Sequence, residues 1–116
     1  MPRCSWPMAI FRALRSVPFL FQVFVERARQ ERKWGPQKHA HFPKRGPTPE
    51  WYMDAAKEDC EADFKVGDQN WAVIFNEEAM EALSATTVEN LSAERIQAAA
   101  VLAAWAEHKD LPWQNK

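Results

Sequence analysis

Five side chains in the C-terminal half have the types and spacing most suited to chemistry: Glu77, Glu78 and Glu81, then, after twelve residues, Glu94 and Gln97. On a helix advancing about 100° per residue, Trp71, Ile74, Phe75 and Ala82 form one apolar stripe, and Glu78 falls in its middle. Glu81 lies at the edge of that stripe and Glu77 a step further round. A second stripe, Leu91, Ala98, Val101 and Trp105, surrounds Glu94, with Gln97 one turn along. If the two segments turn back on each other near residues 85–87, Glu94 comes level with Glu78. Carboxylates facing each other among apolar neighbours repel and lose hydration, so they need either protons or a cation. Ligation by oxygen alone, without His or Cys, suits magnesium or manganese. Two alternatives stay open on these residues alone: a solvated acidic face, and neutralisation by Lys or Arg from elsewhere in the chain.

Elements that would position this cluster can be read from breakers and caps. A first helix is predicted from Pro18 to Trp34, closed by Gly35-Pro36, with Leu20, Phe21, Phe24, Val25 and Ala28 on one side. Gly35 to Pro49 is rich in Pro and Gly and reads as a long loop. Thr48-Pro49-Glu50 predicts the start of a second helix, ending near Phe64 before Gly67. Asp68 is the expected cap of a third, over 69–83, and Thr86-x-x-Glu89 is a capping box for a fourth, reaching Lys109. The expected fold class is therefore all-α: a four-helix bundle whose last two helices form an antiparallel hairpin. Its helical domain spans 18–110, between a poorly ordered extension over 1–17 and a tail over 111–116.

Composition agrees with one folded domain: 116 residues, 47% apolar and 27% charged. The net charge is only -1, yet residues 1–48 hold ten basic against two acidic side chains, and 49–116 hold five against fourteen. Cys4 and Cys60 form no CxxC unit, which speaks against a disulfide framework or structural zinc and for a reducing, cytoplasmic setting. The apolar run Ser16–Val25 is interrupted by Pro18 and Gln22 and is too short to span a bilayer, so neither a membrane span nor a signal peptide is expected. His39 and His41 fall in the loop, and His108 marks a helix end.

Glu77-Glu78-x-x-Glu81 followed by Glu94-x-x-Gln97 resembles the EExxE…ExxD pattern of the all-α MazG-like nucleoside triphosphate pyrophosphohydrolases. A wider similarity to small MazG-like proteins of bacteria and phages covers about residues 19–109. It includes Glu26-Arg27-x-x-Gln30-x-x-Lys33-Trp34-Gly35-x-Gln37-x-His39, Cys60-Glu61-Ala62, Trp71, and Gln97-Ala98-Ala99-Ala100-Val101 with Trp105. The resemblance implies magnesium held by Glu78, Glu81, Glu94 and Gln97, with manganese as a substitute. Glu77 would orient water, bind another ion or contact the ligands. It implies hydrolysis of a nucleoside triphosphate, often a deoxynucleotide, to the monophosphate and pyrophosphate. Lys33 would meet phosphate, Gln30 and Gln37 the base or sugar, and Trp34 would stack on the base.

Gln97 stands where the broader family has Asp, and an amide oxygen is a weaker partner for a hard cation. The alternative function is accordingly a catalytically weakened nucleotide-binding or assembly module. Val73, Met80 and Leu83, outside the inward stripe, predict self-association as a homodimer or homotetramer. The basic N-terminal half also admits contact with nucleic acid or a membrane, both less expected than a nucleotide partner.

Overall fold

The computed structural model describes residues 3–108, 110, 111 and 113. Lys109, the expected end of the last helix, and most of the 111–116 tail lie outside them. The protein is all-α: among the described residues there are α1 (Trp6–Ala13), a 3-10 turn (Leu14–Ser16), α2 (Val17–Trp34), α3 (Glu50–Lys65), α4 (Trp71–Leu83) and α5 (Val88–Ala106), with no strand.

α1, the 3-10 turn and α2 run on as one rod, Trp6–Trp34. The helix thus starts twelve residues before the expected Pro18, inside the stretch expected to be poorly ordered. Ser5 caps it by accepting from the Met8 N–H at 3.3 Å. Pro18 does not break the rod because it follows the 3-10 turn, in the first turn of α2, where a missing N–H costs little. Gly35 ends the rod at φ 68°, a backbone setting that strains any residue with a Cβ, and its N–H closes on the Glu31 carbonyl at 2.8 Å. By length and composition this rod could cross a membrane, although none of its apolar window is buried in the chain.

α4 packs extensively on both α3 and α5, and small residues make that approach close. The buried core consists of Ala56, Cys60, Ala85, Leu91 and Ala103. The rod touches this unit mainly near Ser16, whose hydroxyl donates to the Glu107 carboxylate at 3.0 Å.

Caps differ from those expected by one or two residues. α3 begins after Pro49 without a side-chain cap, while the Thr48 N–H instead donates to the Leu83 carbonyl at 2.8 Å. That bond ties the loop to the end of α4. α4 is capped not by Asp68 but by Asn70, whose side-chain oxygen accepts from Val73 and whose amide donates to Asp63 and to the Asp68 carbonyl, each at 3.0 Å. α5 is capped by Thr87, accepting from the Asn90 N–H at 3.1 Å, one residue after the expected Thr86 box. Because Asn70 serves as both cap and bridge to α3, Asn70→Ala is expected to lower stability by about 1–2 kcal/mol. Thermal unfolding followed by circular dichroism checks this, and a smaller loss for Asn70→Asp would separate the cap from the bridge.

Candidate metal centre

α4 and α5 together bring Glu78, Glu81 and Glu94 to one place. One carboxylate oxygen from each lies within 4.8 Å of the other two, and all three residues are half-buried. Helical spacing explains the Glu78 and Glu81 pair, since i and i+3 share a face, and packing of α4 on α5 supplies Glu94. One oxygen each of Glu78 and Glu94 is sealed from solvent without a hydrogen-bond partner. Unpartnered acceptors in such a position are costly and call for a donor or a cation.

The electrostatics point the same way. Burial, then the charges of Glu94 and Glu77, push the Glu78 carboxyl above its ordinary range. Burial also dominates at Glu81, joined by a hydrogen bond to Glu94 and the charges of Glu78, Glu94 and Glu77, and pushes its pKa up to about 7. Near neutrality a proton on Glu81 therefore offsets part of the repulsion. Among the described residues the ion pairs, Arg27–Glu31 at 2.7 Å and Arg29–Glu26 at 3.3 Å, stay within α2, and no basic side chain pairs with the cluster. The donor set, hard oxygens converging on a part-buried point, could hold a metal ion.

The other expected site residues lie apart from this trio. Glu77 turns toward α3 and the buried Cys60 thiol; burial, then a hydrogen bond to Glu77, raise the thiol pKa and disfavour the thiolate. Gln97 is exposed on α5, and the three carboxylates converge without it. Gln30, Lys33, Trp34 and Gln37 sit at the far end of the rod and its following loop with local partners. Arg27 donates to Gln30 at 2.6 Å, the Lys33 ammonium lies 4.7 Å from the Trp34 ring centre, and Gln37 meets His39 at 3.3 Å.

Beside the carboxylates opens a cleft of about 650 Å³, of which Glu81 and Glu94 form one wall. Thr48, Met53, Ser84, Thr86 and Asn90 contribute to the rest, while none of the four residues expected to contact substrate lines it. Asn90 was discoverable in the sequence, because it lies one turn before Glu94 and so shares its face. Thr48 was not, because its place depends on the long-range bond to Leu83. No Lys or Arg occurs among the described lining residues. A polyphosphate in this cleft would therefore need cations to offset its charge.

Neither a protein-family model, nor a curated protein, nor a solved structure matches this chain.

Proposed function

We propose that the chain is a magnesium-dependent nucleoside triphosphate pyrophosphohydrolase of MazG-like type, with α4 and α5 as the antiparallel hairpin that carries the metal. The observation that supports this most is the convergence of Glu78, Glu81 and Glu94 with two buried, unpartnered oxygens beside an open cleft. Magnesium there would supply charge neutralisation at the phosphate oxygens and make water nucleophilic at neutral pH.

The chain's own groups have distinct parts in this reading. Glu78 and Glu94 would hold the cation through their carboxylate oxygens, and Glu81 would join them in its deprotonated form. Thr48, Thr86 and Asn90 offer neutral donors along the cleft to a phosphate or sugar, and Met53 an apolar wall to a base. Water attacks the α-phosphorus, its oxygen joins the nucleoside monophosphate, the bond to the α,β-bridging oxygen breaks, and pyrophosphate departs; the proton passes to solvent. Cytoplasmic nucleotides are the proposed substrate pool.

The purified chain, incubated with each common ribo- and deoxynucleoside triphosphate and magnesium, is expected to release pyrophosphate from at least one, and to stop when a chelator is added. Orthophosphate as the direct product, or no turnover of any nucleotide, would count against the proposal. Gln97 favours a second reading, a binding module that retains nucleotide without cleaving it. Calorimetric nucleotide binding in the absence of any product would select that reading.

A further inference from the structure

A second cleft, of about 860 Å³, opens at the other end of the α4 and α5 pair and shares no lining residue with the one beside the carboxylates. Phe64 from the end of α3, Trp71 from the start of α4, Trp105 from the end of α5 and Trp113 beyond it wall this cleft, with Ile74 and Leu111. Trp71 lies two helical turns before Glu78, about 10 Å along α4, and Trp105 three turns after Glu94, about 16 Å along α5. Stacking on His108, with ring centres 5.7 Å apart and planes 24° from parallel, holds the Trp71 ring. The volume is that of a small-molecule site, roughly 300–1,000 Å³.

The chemistry of the walls selects the ligand. Indole and phenyl faces carry partial negative charge and attract cations. Among the described lining residues the only charged side chain is Asp68, and no Lys, Arg or His is there to meet an anion. Asp63, bonded at 3.0 Å to the lining residue Asn70, adds a second carboxylate nearby. The cleft therefore disfavours nucleotides and other anions.

Its hydrogen-bonding groups are already committed. The Asn70 oxygen accepts from Val73 and its amide donates to Asp63 and to the Asp68 carbonyl, while Asp68 and Gln69 have interactions of their own. A neutral heterocycle would bury its ring nitrogens and exocyclic groups against these engaged partners, at a cost. A primary ammonium ion meets the same difficulty, because it gives up the water around three N–H donors on entry. A quaternary ammonium ion carries its charge without any N–H and binds by laying methyl groups against aromatic faces. We infer that the cleft walled by Phe64, Trp71, Trp105 and Trp113 is a binding site for a small quaternary ammonium ion of the choline type, separate from the carboxylate centre.

The test titrates the full chain with choline chloride at constant ionic strength, followed by calorimetry and by tryptophan fluorescence. Choline is expected to bind saturably, at one site per chain. Neohexyl alcohol, which has the same shape with carbon in place of the nitrogen, is expected to bind about ten-fold more weakly. Trp105→Leu keeps an apolar wall but removes the ring face, and should weaken choline binding about ten-fold with helical circular dichroism retained. Should that variant fail to fold, Trp113→Ala decides, because Trp113 is 97% exposed and contributes nothing to the core; it too should weaken choline binding several-fold. Absence of saturable choline binding overturns the proposal. Equal affinity for the uncharged alcohol overturns it as well, making the cleft a plain apolar slot. Undiminished choline binding by either folded variant places the ammonium elsewhere and has the same consequence.

Discussion

Glu78→Gln and Glu94→Gln are each expected to lower magnesium-dependent pyrophosphate release by a factor of about a hundred to a thousand. Each removes one anionic ligand while preserving side-chain shape, so the loss comes from cation affinity and from charge neutralisation at the phosphates. The same changes should not weaken the fold. In the metal-free protein they relieve repulsion among three carboxylates held within 4.8 Å of one another, and the melting temperature at pH 8 should hold or rise by a few degrees. Activity assays paired with thermal melts check both. A variant that loses activity and melts well below the natural protein would make the residue structural; full activity in both variants would remove the cation from this site.

The metal-free protein is also expected to become less stable as pH rises from about 4.5 to about 7, and to level off above. In the unfolded chain Glu81 releases its proton near its ordinary value of 4.5, whereas the fold retains it to about 7. Between those values the folded state holds more protons than the unfolded state, so raising the pH favours unfolding. Glu78, shifted in the same direction, adds to the effect. Discounted for partial exposure, the loss amounts to about 1–2 kcal/mol, or several degrees of melting temperature. Magnesium should reverse it, raising the melting temperature strongly at pH 8 and little at pH 5.5, where protons compete for the same oxygens. Melts with chelator and with magnesium at the two pH values provide the check. Equal magnesium effects at both would place the ion elsewhere.

How much of this was legible in the sequence differs by residue. Glu78 and Glu94 were, because apolar periodicity put each on an inward stripe and the short Ser84–Thr87 connection set them level. The caps were less legible, because Asp68 and Asn70, or Thr86 and Thr87, are equally good local candidates. Asn70 prevails through its amide bond to Asp63 on α3, a tertiary contact invisible to local pattern. The rod was misjudged at its start because Pro18 looked like a beginning, whereas the 3-10 turn before it carries the helix back to Trp6. Part of the outer apolar face expected on the third helix was misjudged as well. Val73 and Met80 are half-buried in the chain, Leu83 is exposed as expected, and a longer run of exposed apolar side chains lies on the rod.

The Ser16–Glu107 hydrogen bond gives the molecule a modular character. With so slender a junction, the rod contributes little to holding α3, α4 and α5 together, and the loop that follows it carries Lys38, Lys44 and Arg45 on its exposed side. Trypsin should nick there first, before Thr48, whose tie to Leu83 marks where the cooperative unit begins. The fragment left behind would keep all three carboxylates while losing the exposed apolar side chains of the rod.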